Sequence, residues 1–468
     1  MNQDDERTID KTDVGVNPLP PNQRRKMLPE VIMRLLTGGK AKRGGRDDVV
    51  VVRWKGEPNI PLHVEDYELA KSIADKTYQE WISAGGKTGA LNNDLKFFLR
   101  VQRAVTSDVW RMTNDQYGDK KGLIGLKDRT GCGYWRITLP SRHFDHKGWW
   151  FDITDLKVQY EYLLDYDTIM VQRLHTWGEH HVVESLKSAG KRIVYDIDDN
   201  IFDIPPDNPA AKIVNNDCKQ AAAAIMSLAD CITTPSAVIR DDLDERFGYG
   251  EKVRIIPNAL DLSQWPLVTD DDDETAQNIG SPDNQLRVFW QGSATHAADW
   301  LCCLDGLDRV MQERDDVIVM IFGFMPPALY AMVKDRQKPY WNRKVQFMDF
   351  QHVETYIWTM KQVRAEVGLC PLRESKFNVC KSPLKFCENT VIGFPTVASN
   401  VSPYKEVIQS GVNGYLADTP DEWYKSIMAL LEARESRFNM LREARKLVVE
   451  QYNISNVMPL WEEAWGVI

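Results

Sequence analysis

The chain has 468 residues, 43% of them hydrophobic, and a formal net charge of −10. That length suits two or three domains, and the apolar content excludes a disordered polymer. No apolar run reaches the roughly 18 residues of a membrane span, so no transmembrane segment is expected.

The first residues, MNQDDERTIDKTDVG, are polar and acidic where a signal peptide needs an apolar core. The eight cysteines are scattered apart from Cys302-Cys303, without CxxC or Cys/His ligand spacing. They read as reduced thiols of a cytoplasmic protein, in the host cytoplasm if the chain is viral, and no structural metal is expected. Charge is uneven: residues 1–150 carry a net +6 and the remainder −16. Residues 22–55 hold 10 basic and 3 acidic side chains, including KAKRGGR. Such a block suits either a solvated arm or a polyanionic partner such as DNA.

In chain order, residues 1–120 read as a basic, partly disordered N-terminal extension. It contains a strand at DVVVVRW (48–54) and helices over 65–86 and 94–112. From 121 a β-α rhythm begins. GLIGL is a strand candidate, and TGCGYWRITLP a glycine-bearing turn entering a new element. DTIMVQR is a buried strand, and GEHHVVESLKSAG a helix stopped at Gly190. KRIVYDIDD, CITTP and VRIIPNALD are further strands, with helices between them. The rhythm predicts a Rossmann-like domain over 121–267. Residues 268–285 form an acidic linker with four successive aspartates, Asp270 to Asp273, read as solvated rather than metal-binding. The rhythm restarts over 286–450 with LRVFWQGS, VIVMIFG, VQFMDF, EVGLCPL and FPTVAS as strands, and 451–468 is a C-terminal helix. Two such domains are expected to face a cleft, with ligands at the C-terminal ends of the strands.

Chemistry concentrates in the second half. In VFWQGSATHAADW a strand ends at Gln291, and Gly292 lets the chain turn. Ser293 or Thr295 is placed to cap a helix whose free N–H groups suit phosphate, and His296 lies in its first turn. In KSPLKFCENTVIGFPTVAS, Lys381 and Lys385 are four residues apart and Glu388 follows three later. On one helix face these lysines would neutralise a diphosphate, and the carboxylate would accept two hydroxyls of a ribose. A surface helix with a simple Lys385–Glu388 pair is the plainer alternative. Asn258 and Asp261, in VRIIPNALD, are turn formers in their own right.

The order ADCITTPS, VRIIPNALDLSQW, FWQGS and KFCENTVIGFPTVASNVSPYKEVIQSGVNGYL resembles the family 4 glycosyltransferases, over roughly residues 130–450. The resemblance implies an α/β chain of the GT-B fold, two Rossmann-like doubly wound domains facing a cleft, here with an N-terminal extension. It implies retaining transfer of a hexose or pentose from a nucleoside diphosphate sugar, a UDP- or GDP-sugar, to a hydroxyl acceptor. No metal is required. Glu388 would bind the ribose, and Lys381 and Lys385 the diphosphate. The family's second glutamate, eight residues earlier, is Cys380 here, and Glu374 in the preceding loop is a replacement candidate. Catalytic roles therefore fall to Lys381, Lys385 and Glu374. The donor side takes Gly131 and Gly133, through a resemblance to the family's N-terminal glycine loop. It also takes Gly292, Ser293, Thr295, His296, Asn378, Ser382 and Glu388. Arg173, Asp196, Asp198 and Asp199, at strand ends, are placed on the acceptor side or in the cleft, with metal binding by the DxD the less favoured role. The acceptor is a glycan or a hydroxymethylated base of modified viral DNA held through residues 22–55. A non-catalytic sugar-nucleotide- or carbohydrate-binding protein of degenerate GT-B fold, or an epimerase of the same fold, would carry the same motifs.

Overall fold

The computed structural model describes residues 40–43, 49–53, 60–63, 68, 70–72, 74–75, 121–127, 131–155, 160–265, 285–351 and 353–468. The proposed linker aspartates, the expected helix over 94–112 and most of the basic stretch 22–55 lie outside these residues. The chain forms two compact units, 1–119 and 120–468. The first contains an antiparallel three-stranded sheet of β1 (Lys40–Arg43), β2 (Val49–Arg53) and β3 (Ile60–His63), in that order.

The second unit holds two six-stranded parallel sheets. The first sheet comprises β4 (Lys121–Lys127), β5 (Trp149–Asp155), β6 (Thr168–Gln172), β7 (Arg192–Asp196), β8 (Cys231–Thr234) and β9 (Val253–Ile255). Its order is β5-β4-β6-β7-β8-β9. The second comprises β10 (Leu286–Gly292), β11 (Val317–Gly323), β12 (Val345–Asp349), β13 (Val367–Cys370), β14 (Thr396–Ser399) and β15 (Tyr415–Ala417). Its order is β12-β11-β10-β13-β14-β15. Strand order reverses between β4 and β6 and between β10 and β13, and ligand crevices of doubly wound sheets open at such points.

Local chemistry explains the elements. β6, β8, β13 and β14 are buried throughout, so they read as short apolar, β-branched runs rather than alternations. The helix Trp177–Ser188 starts in a capping box of Thr176 and Glu179, and Gly190 follows it at φ +77°. β5 has no counterpart in the sequence reading. It is an edge strand of half-buried residues and lacks a buried strand's signature. The helix Ile454–Trp465 returns to the first sheet. There the Thr168 hydroxyl donates to the Trp465 carbonyl at 3.2 Å, and the Trp465 ring packs on Phe144 and Phe151. One apolar cluster thus runs from Leu123 and Met170 through Ile256 and Trp461 to Phe289 and Phe386, joining both domains. Fully buried aromatics of this size dominate core energetics.

Candidate functional site

The second domain's reversal point is floored by glycines. A Cβ on Gly292 would lie 2.6 Å from the Trp290 ring and 3.3 Å from Lys385 Nζ. A Cβ on Gly323, at the end of β11, would lie 2.5 Å from the Gly292 carbonyl oxygen. Beside this floor the helix Leu384–Ile392 begins after Pro383 and ends at Gly393, with φ +98°. Lys385 sits in its first turn and Glu388 one turn on, only 3% exposed. Gln291 Nε2 donates to Glu388 Oε2 at 2.6 Å. Burial pushes the Glu388 carboxyl up to about 8, against the opposing pull of the Tyr356 hydroxyl, Lys385 and Gln291. Lys385 Nζ lies 5.4 Å from the Trp290 ring centroid and has no hydrogen bond or ion pair among the described residues. Burial pushes it down to about 8, and the charge of Lys381 acts in the same direction.

Lys381 is not on this helix. Pro383 disfavours helical geometry in the residue before it, and Lys381 is extended, at φ −72° and ψ 165°. The expected single face therefore holds Lys385 and Glu388, while Lys381 reaches across the cleft. Its Nζ pairs with Asp199 Oδ1 at 2.9 Å and lies 4.4 Å from the Phe377 ring centroid. Neighbouring residues cross as well. Ser382 Oγ accepts from Asn258 Nδ2 at 3.0 Å, Cys380 Sγ from Asn200 Nδ2 at 3.7 Å, and Arg373 pairs with Asp207 at 2.7 Å. Glu374 is exposed, and Asn378 is buried within its own domain.

On the first domain's side, residues 131–143 form one continuous helix with a π-helical stretch at Tyr134–Thr138. Gly131 and Gly133 belong to that helix rather than to a glycine-bearing turn, and a Cβ on Gly131 would meet nothing within 4 Å. The helix aims Arg136, which is fully buried, at Asp196: Nη2 and Nε lie 2.8 and 3.0 Å from Oδ1. Thr233 Oγ1 donates to the same carboxylate at 2.7 Å. Asp196 is therefore a sealed structural anion, not a cleft residue as its strand-end position suggested. A buried guanidinium reaching it from the neighbouring helix keeps it inside. Arg136 also donates to the Ile256 carbonyl at 2.6 Å and to Asn258 Oδ1 at 3.1 Å, which orients the Asn258 that holds Ser382.

Asp198 and Asp199 do reach the cleft. Arg173, at φ +50°, places its Nε 3.3 Å from Asp198 and its Nη1 3.7 Å from Asp199. Burial raises the Asp198 carboxyl, with Arg173 opposing. For Asp199 burial also acts upward, but Lys381 and Arg173 outweigh it and the pKa falls. Cys132, Asp198 and Asp199 each offer a ligand atom within 4.8 Å of the others, as do His180, His181 and Glu184 on a more exposed helix face. At the first group a metal ion would compete with Arg173 and Lys381 for the same carboxylates.

The stretch after Gly292 is a run of 3₁₀ turns, Ala294–Cys302, rather than the expected capped α-helix. Neither hydroxyl caps it; Ser293 Oγ and Thr295 Oγ1 pair with each other at 2.8 Å. Tertiary contacts reshape it: the buried Trp300 packs edge-on against Trp290, and Asp299 is drawn toward His296 and Asn378. Sequence reasoning missed Arg136, Asp299 and Tyr356, and named Gln291 only as a strand end. A polar residue closing the apolar run VFW was the available signal for Gln291.

Residues 287–433 match the family described as Glycosyl transferases group 1. TuaH of Bacillus subtilis (strain 168), a glycosyltransferase whose name ties it to teichuronic acid biosynthesis, is 23% identical over 206 residues, 39% of this chain. That match spans 43% of the relative's length. Anabaena HepE in complex with UDP-glucose superposes with a TM-score of 0.56 at 14% identity, covering 74% of this chain and all of that one. A sucrose-phosphate synthase from Thermosynechococcus elongatus gives 0.53 at 13%, covering 75% of this chain and all of that one. The chain has the GT-B fold, and its second domain is of the group 1 glycosyltransferase kind, as the resemblance to family 4 implied.

Proposed function

We propose that the protein is a retaining glycosyltransferase that moves a sugar from a nucleoside diphosphate sugar, a UDP-sugar first among them, to a glycan hydroxyl. The observation that carries this is the unpaired Lys385 ammonium beside the Gly292 floor, one turn from the buried Glu388. A cation without a partner in a partly buried site suits an anionic ligand. The UDP-glucose complex of HepE, which shares the fold, favours uridine as the base.

Lys385, joined by Lys381, would stabilise the charge that grows on the departing diphosphate. Glu388 would accept the ribose hydroxyls, which favour its ionised form. Arg173, Asp198 and Asp199 would face the acceptor. The links from residues 373–382 to the first domain would hold the cleft closed enough to exclude water. The leaving phosphate would take the acceptor proton, so neither a protein base nor a metal is needed. The eight free cysteines suit a reducing cytoplasm, and no helix among the described residues is long and apolar enough to cross a membrane.

The test is incubation with α-linked UDP-sugars and a panel of glycan acceptors, followed by NMR of the new glycosidic linkage. An α-linked product is expected. A β-linked product would reject retention. Tight UDP binding without turnover on any acceptor would favour the non-catalytic reading.

A further inference from the structure

Both lysines of the site act on a histidine whose proton is fixed from behind. His296 Nδ1 lies 2.8 Å from Asp299 Oδ2, and the ring makes no other hydrogen bond among the described residues. The two side chains are 14% and 4% exposed. The second oxygen of Asp299, Oδ1, accepts from Asn378 Nδ2 at 3.0 Å and from the Arg373 backbone N–H at 3.1 Å. An ionised carboxylate only accepts, so Nδ1 must carry the proton. Burial, with Lys385 and Lys381 adding to it against the pull of Asp299, pushes His296 down to about 4. At neutral pH the ring is uncharged, with N–H on Nδ1 and a lone pair on Nε2.

That state decides what the ring can bind. A phosphate oxygen is itself an acceptor and gains nothing from a lone pair. A sugar hydroxyl donates and fits. So weakly basic a ring also suits recognition better than proton abstraction.

The usual reader of the sugar is missing. At the position of the family's second glutamate stands Cys380, whose thiol faces Asn200 and the Lys376 carbonyl inside the first domain's apolar cluster. It offers nothing to a ligand in the cleft.

We propose that His296 accepts a hydrogen bond from a hydroxyl of the donor sugar through Nε2, with Asp299 as the positioning residue that fixes the tautomer and ties it to the loop 373–378. This rests on the sugar-nucleotide reading above. Donor selectivity is then set by a neutral imidazole rather than a carboxylate, and a site built to accept a hydroxyl discriminates against sugars lacking it there.

The experiment is calorimetric titration of UDP, UDP-glucose, UDP-galactose, UDP-N-acetylglucosamine, GDP and GDP-mannose into the full chain. It is run on the wild type, His296→Ala, His296→Gln and Asp299→Ala. For the sugar nucleotide that binds best, the ratio of its affinity to that of the parent diphosphate should fall about tenfold in His296→Ala, the size of one hydrogen bond. The diphosphate itself should change less than about twofold. His296→Gln, which keeps an acceptor, should recover part of the ratio. Asp299→Ala should lower the ratio likewise and move the ¹⁵N signature of His296 from the Nδ1–H to the Nε2–H tautomer. A ratio unchanged in His296→Ala, or equal weakening of diphosphate and sugar nucleotide, overturns this inference and leaves the glycosyltransferase reading standing. Failure of every nucleotide to bind the folded wild type overturns both.

Discussion

Lys381 Nζ lies 2.9 Å from Asp199 Oδ1, and this ion pair spans the cleft between the two Rossmann-like domains. It separates two lysines that look equivalent in the sequence. Lys381 is already neutralised by a carboxylate of the opposite domain, whereas Lys385 has no partner among the described residues. A diphosphate therefore meets Lys385 directly and must compete with Asp199 for Lys381.

Asp199→Asn removes that competitor. Titration with UDP should show tighter binding, by about threefold to tenfold, the scale of one partly exposed charge pair. Lys381→Ala made on the Asp199→Asn background should return the affinity to the wild-type value or below. No gain in Asp199→Asn would mean that Lys381 does not reach the diphosphate.

Lys385→Met should weaken UDP binding by about tenfold or more while raising the thermal midpoint of the empty protein at pH 7. The sign follows from linkage. The folded pKa of about 8 lies below the ordinary lysine value of 10.5, so burying this cation costs stability as pH falls from about 10.5 through 8. The apolar variant removes that cost. In the wild type, UDP affinity should decline above pH 8 as Lys385 loses its proton. Calorimetry over pH 7–9.5, with Lys385→Arg as the always-charged control, reads this directly.

Glu388→Gln makes the opposite titration visible. The folded pKa of about 8 lies above the ordinary value of 4.5. The stability this group contributes is present below 4.5 and is lost as pH rises through 8. Gln keeps an oxygen for Gln291 and cannot ionise. Thermal unfolding of the ligand-free variant should flatten between pH 4.5 and 8, with a higher midpoint than wild type at pH 8. Affinity for UDP should fall, because the amide accepts ribose hydroxyls more weakly than a carboxylate. An unchanged pH profile would place Glu388 outside the titrating set.

Arg136→Met leaves Asp196 buried with Thr233 as its remaining side-chain partner. Breaking a buried pair in this way costs about 3–5 kcal/mol, visible in urea unfolding. Arg136→Lys should not rescue it. Asp196 is met by two guanidinium nitrogens while a third holds the Ile256 carbonyl and Asn258, a fork that an ammonium cannot supply. Wild-type stability in Arg136→Lys would contradict this account.

Much of the second unit was legible from residues alone. TIMVQ, CITT, VGLC and TVAS are buried on both faces, so their short apolar runs announce parallel strands without any partner being known. Gly393 sits at a left-handed helix end, the backbone geometry that favours glycine. Lys385 and Glu388 share a helix with Gly393 at its end, so their spacing carries their geometry. What lay beyond the sequence were relationships between segments far apart in the chain. Asp196 and Asp198 are two residues apart on one strand end, yet one is sealed by Arg136, 60 residues earlier, and the other faces Arg173 in the cleft. Lys381 and Lys385 differ because Pro383 stops the helix between them and Asp199, 182 residues away, captures the first. His296 reads as a surface residue until Asp299 and Asn378 fix its tautomer. Periodicity and turn residues report what a side chain's own element does. Which charges are neutralised and which remain for a ligand depends on long-range Coulomb and hydrogen-bond partners, and only the packed domains bring those together.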